Sequence, residues 1–142
     1  MASRQIKPVL TIAHAKSSAA AAIKLAESRA LKVAIAIVDD GGRPLYFERM
    51  DDVPWGSGDV AVGKAISAAA YRRSTAVFDK RLTEGRLAVL GQAHAFPIQG
   101  GVPLMLDGYC VGAIGASGAL AAEDTELCEA AALACVSWGD DA

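Results

Sequence analysis

The chain has 142 residues, 53% apolar and 21% charged, with a formal net charge of −2. That length predicts one domain over residues 1–142, able to bury about 70% of the surface its unfolded chain would expose. Its lysines and arginines are scattered, with no basic stripe to neutralise a nucleic-acid backbone, and no segment approaches the ~18 apolar residues of a membrane helix, so neither nucleic acid nor membrane is an expected partner.

The opening MASRQIKPVLTIAHAK lacks the apolar run of a signal peptide, and the expected location is the cytoplasm. The apolar share exceeds that of a typical soluble domain, which predicts that some of it lies between subunits. Much of the excess is alanine (AAAAI, SAAAY, EAAALA), which permits close helix contacts. Cys110, Cys128 and Cys135 are odd in number and show no CxxC spacing, so neither a disulfide framework nor a zinc site is expected.

Along the chain, Ile12, Ala15, Ala19, Ala22, Ile23 and Ala26 recur at helical spacing, predicting an amphipathic helix over residues 11–29 with Thr11 as N-cap. VAIAIV (33–38) and the residues 45–49 read as strands of a hairpin joined through DDGGR. Residues 50–58 read as a loop because Pro54, Gly56 and Gly58 interrupt any period. Ser57 then caps a helix to about residue 73, with Asp59 in its first turn. A shorter helix follows over about 75–86, while residues 83–92 carry the weakest pattern.

AFPIQGGVPLML and YCVGAIGASG predict two or three strands, the last two joined by an Asp107-Gly108 turn. Glycines 112, 115 and 118 predict close backbone approach to whatever packs on that strand. A last helix over about 123–138 carries Leu127, Ala131, Ala134 and Trp138 on one face, with Asp124 and Glu126 in its first turn. Neighbouring strands joined by short turns, without repeated βαβ units, give an α+β fold: helices covering an antiparallel sheet.

Chemistry-bearing side chains concentrate around the second helix. Asp59 and Lys64 are about 140° apart on a helix, so they do not pair, and each needs a partner elsewhere. On one reading Lys64 pairs with a carboxylate from the facing hairpin or a neighbouring subunit. On another, Lys64 and Arg49 face a small pocket roofed by Pro54 and Trp55 with Asp51 and Asp59 nearby, an anion-binding or acid–base cluster in which a desolvated lysine acts as base. Of the two histidines, His94 lies before AFPIQGGVPL, where it is a candidate general acid or base or a second ligand. The glycine runs at 100–101 and 112–118 lack a following GK[ST] or a βαβ context, so they read as packing sites and not as phosphate cradles.

The segments DDGGRPLYFERMDDVPWGSGDVAVGKAISAA, QGGVPLMLDGYCVGAIGASG and EDTELCEAAA together resemble the GlcG/HbpS-like family. Its pattern is D-x-G-G, R-M-D, S-x-D-x-A-x-x-K-A, then G-G-x-P followed by V-G-A-I-G-x-S-G. The resemblance covers nearly the whole chain. It implies a profilin-like α+β fold, homo-oligomers from dimers up to octamers and, as in streptomycete members and the C-terminal domain of PduO, haem binding. It further implies a histidine of the N-terminal helix, here His14, as haem-iron ligand, with Arg49, Trp55 and Lys64 at the ligand site. Tyr46, Phe47, Met50, Tyr71, Phe78 and Phe96 join Trp55 as candidate walls of a haem slot, and the absence of CxxCH argues against covalent attachment.

Three readings follow: a haem- or tetrapyrrole-binding oligomer; a cofactor-independent lyase or isomerase for a small anionic, aromatic-type catabolite, with Arg49 or Lys64 holding its carboxylate and His94, Asp51 or Asp59 moving protons; and a structural or regulatory oligomer without a ligand.

Overall fold

The computed structural model describes residues 3–137, so the expected face residue Trp138 lies outside the described residues. Helix α1 (Ile12–Ser28) is followed by strands β1 (Ala34–Asp39) and β2 (Pro44–Arg49), then α2 (Trp55–Tyr71), α3 (Ala76–Thr83) and a single 3₁₀ segment, Leu87–Gly91. Strands β3 (Gly101–Leu106) and β4 (Tyr109–Ser117) precede α4 (Ala121–Ser137). The sheet has the order β2-β1-β4-β3 with every neighbouring pair antiparallel. The α+β fold expected from the short strand connections is the one observed.

Both hairpins form where their turn residues demand. Asp39 Oδ1 accepts from the amides of Gly41 and Arg43, each at 2.9 Å, and Asp107 and Gly108 both take positive φ, 51° and 80°, as a two-residue hairpin turn requires. Thr11 caps α1, its hydroxyl accepting from the His14 amide at 3.2 Å, worth about 1 kcal/mol.

The pleat sorts side chains by size. Ala34, Ala36 and Val38 of β1 face α2 and its Ala61, Ala65 and Ala68, while Ile35 and Ile37 point to the other side and meet Ile114, Leu104 and Leu127 beneath α1 and α4. A strand buried on both faces reads as an unbroken apolar run, which is why VAIAIV lacks polar alternation. On the α2 side alanines leave little to interdigitate, and the helix comes down onto the sheet: a Cβ on Gly115 would lie 2.1 Å from the Ala61 carbonyl oxygen. The close approach expected at these glycines is made by the α2 backbone at Gly115, by the Val38 carbonyl and Leu10 at Gly112, and by the Lys32 carbonyl at Gly118.

Two expectations need correction. Helix α2 begins at Trp55, with Pro54 at the cap and no side-chain cap bond. Ser57 lies inside the first turn, and Asp59 is too far along the helix to sit at its N-terminus. Gly56 and Gly58 mimic a loop in sequence, but Gly58 is buried in the helix because the Phe47 ring packs there, 2.9 Å from where a Cβ would stand. The stretch before Gly101 is not a strand: Phe96 N donates to Ser67 Oγ at 3.0 Å and Gln99 N to Asp79 Oδ2 at 2.9 Å, so side chains satisfy amides that a sheet ladder would otherwise take.

Candidate functional site

Lys64 is 2% exposed. Its Nζ donates to the Ala116 carbonyl at 2.9 Å and to Asp124 Oδ2 at 3.4 Å. Asp124 stands in the first turn of α4, where its other oxygen accepts from Ala119 N at 3.2 Å. Gly100, with φ +124°, gives the ammonium room, since a Cβ there would sit 2.7 Å from Nζ. Burial pushes the Asp124 carboxyl above the usual carboxylate range, against the opposing pull of Lys64 and the Ala119 amide.

The partner of Lys64 is thus the last helix of the same chain, and not the facing hairpin or another subunit. The pair bridges the two helical layers around the end of the sheet. Asp124 stands out in sequence only as a helix-start carboxylate; nothing in the pattern shows that it meets a lysine 60 positions earlier.

Of the other predicted residues, Arg49 and Asp51 line one cleft of about 310 Å³ with Glu27, Lys32 and Glu48, away from Lys64, His94 and His14. Phe47 and the Arg49 stem lie over Gly58, with Arg49 Cδ 3.9 Å from the position of a Cβ there, so Arg49 belongs with the start of α2, where Trp55 is 73% exposed. Asp51 and Asp59 are also exposed there, before and after the helix start. Lys64 leaves α2 towards Gly100 and Ala116, so the structure does not bring it to Arg49. His94 is exposed with φ 61° on a loop held to the C-terminal half of α2, where Ala93 O accepts from Tyr71 Oη and Phe96 N donates to Ser67 Oγ.

His14 is on the opposite side of the sheet, half-buried in the first turn of α1. Helix α1 runs antiparallel to α4, with Ser18 Oγ donating to Ala131 O at 2.8 Å and Arg29 paired to Glu126, which places His14 towards the C-terminal end of α4. Val9 and Ile12, near it in sequence, are exposed.

Most of the proposed aromatic walls are committed elsewhere. Phe78 is fully buried and meets Tyr71 edge-on with centroids 5.1 Å apart. Phe96 packs on Gly63, Tyr46 Oη donates to Glu48 at 2.6 Å, and the Met50 sulfur accepts from Val33 N at 3.3 Å. Phe47 and Trp55 remain exposed on the α2 side, across the sheet from His14.

A four-stranded antiparallel sheet held between α2 and an α1–α4 pair, with helix backbone seated on strand glycines and a buried Lys–Asp bridge, defines a small profilin-like α+β domain. Residues 10–133 match the family model described as "Haem degrading protein HbpS-like", and the chain belongs to that family. It is 35% identical over 111 residues to Protein GlcG of Escherichia coli K12, covering 78% of this chain and 83% of that protein. Among solved structures, a double mutant of Streptomyces reticuli HbpS is similar with a TM-score of 0.82 at 29% identity, covering 94% of each chain. A PduOC:heme complex is similar with a TM-score of 0.80 at 26% identity, over 89% of this chain and 95% of the other.

Proposed function

We propose that this protein binds haem as a homo-oligomer, with His14 as an axial ligand of the iron. The observation that carries the reading is the similarity, over nearly the whole domain, to a structure described as a haem complex, in a chain whose N-terminal helix presents a half-buried histidine. The residue type fits the group: an imidazole nitrogen suits haem iron, and His14 stands in the first turn of α1 on a stretch that also carries the exposed apolar residues Val9 and Ile12. His14 would hold the iron, while the haem itself would supply redox and ligand-binding chemistry.

The exposed Phe47, Trp55, Leu87 and Leu90 are surface that a homo-oligomer would cover. The lyase or isomerase reading has less support, because Lys64 is enclosed, Asp51 and Asp59 lie at the start of α2, and His94 lies by its far half.

The test is a visible-absorption titration with haemin on wild type and His14→Ala, with mass determined by light scattering. A saturable Soret shift at one equivalent per chain, lost in the variant while the oligomer persists, is expected. No saturable shift, or one unchanged in His14→Ala, would overturn the assignment.

A further inference from the structure

The N-terminal arm, residues 4–10, lies beside the β3–β4 hairpin and ends with Leu10 packed at Gly112. Between this arm, the C-terminal end of α2 and the hairpin is a cleft of about 510 Å³, within the ~300–1,000 Å³ range of small-molecule sites. Lys7, Arg72, Tyr109 and Cys110 line it, and Met105 and the nearly buried Ala69 are the apolar part of a lining that is more polar than apolar.

The cleft's one carboxylate, Asp40, is paired with Lys7. Among the described residues no carboxylate lies within ion-pair distance of Arg72. Arg72 ends α2 in the left-handed conformation, φ 53° and ψ 41°, and this turn sets it at the mouth. Burial raises the Cys110 thiol; Arg72 and Lys7 act against that rise, while Asp40 adds to it. A second cleft, of about 520 Å³, shares Lys7 and Tyr109 and adds Arg4, so the cationic lining continues along the arm.

We propose that this cleft binds a small organic carboxylate, with Arg72 and Lys7 taking the anionic end and Ala69, Met105 and Cys110 taking the carbon body. A guanidinium matches a carboxylate through two parallel hydrogen bonds, which a lysine cannot reproduce. Met105 and the exposed Tyr109 ring, beside the cations, favour an anion with a hydrocarbon part over inorganic phosphate. This site is separate from His14 and from the Lys64–Asp124 bridge, and it stands whether or not the chain binds haem.

The test uses benzoate as probe, benzamide as its uncharged counterpart and inorganic phosphate as the competing anion. Affinity is read by calorimetry, and location by the rate at which iodoacetamide alkylates Cys110. Expected are saturable benzoate binding that slows Cys110 alkylation, at least tenfold weaker binding in Arg72→Gln, partial recovery in Arg72→Lys, and no binding of benzamide. The proposal is overturned by equal affinity for benzamide, by unchanged affinity in Arg72→Gln, by benzoate leaving Cys110 alkylation unaltered, or by phosphate binding where benzoate does not.

Discussion

Lys64→Met removes the ammonium and keeps an unbranched stem, so it isolates the charge at the centre of the α2–α4 bridge. Asp124, with a side chain only 3% exposed, would lose its counter-charge, and the Ala116 carbonyl would lose its donor. Removing one member of a buried pair costs about 3–5 kcal/mol, because the other is left uncompensated. At roughly 2–4 °C per kcal/mol for a chain near this size, the midpoint should fall by about 10 °C. Urea unfolding followed by far-UV circular dichroism, at fixed protomer concentration because assembly couples to stability, measures the loss. The second arm is Lys64→Met with Asp124→Leu. With no charge left in the interior, most of the stability should return, short by about 1 kcal/mol for the Ala119 amide that Asp124 now caps. A single variant within about 1 kcal/mol of wild type, or a double variant that loses the sum of the two singles, would refute the reasoning.

Asp124 should titrate above the usual carboxylate range, as read by carboxyl ¹³C NMR. Between its ordinary value of 3.8 and the raised folded value, the folded state holds more protons than the unfolded one, so this group's contribution to stability falls as pH rises and is regained on acidification. A midpoint at or below the ordinary value would contradict the burial argument. The thiols should separate under iodoacetamide at neutral pH: half-buried Cys110 first, then Cys135, whose pKa burial pushes up to about 11, and Cys128 only on unfolding. Alkylation of Cys128 at the rate of Cys110 in the native protein would show that α4 opens readily.

The elements most legible in sequence were those with local determinants. Thr11 announces α1, and the turns at Asp39 and Asp107-Gly108 announce the hairpins, because each acts within a few residues of itself. The start of α2 is hidden in sequence because Gly58 is there for Phe47, a residue of another element, and local propensity sees only a broken helix. Whether the stretch before Gly101 adds a third strand is open in sequence because Ser67 and Asp79, far away along the chain, satisfy its amides. For the candidate site, the sequence pattern shows that Lys64 needs a partner, but the choice of Asp124 depends on how α4 docks. The pattern likewise places His14 on a helix without showing that the sheet divides it from Arg49, Trp55 and His94. The cleft at Arg72 went unnoticed because its residues come from the N-terminal arm, the end of α2 and the second hairpin, and no motif unites them.

The seating of α2 on Gly115 has a consequence for how this sequence can drift. A methyl group at position 115 would meet both the Ala61 carbonyl and the Ala65 amide, 2.1 and 2.7 Å away, and the helix would have to rise to admit it. The same helix carries Lys64, whose reach to Asp124 already stands at 3.4 Å, so a lifted helix would stretch the bridge as well. Two remote sites are therefore geared to one missing side chain. In a library saturating every position, 115 should accept glycine alone, and variants at 64 and 124 should survive mainly as matched pairs, while the exposed side chains of α1 vary freely.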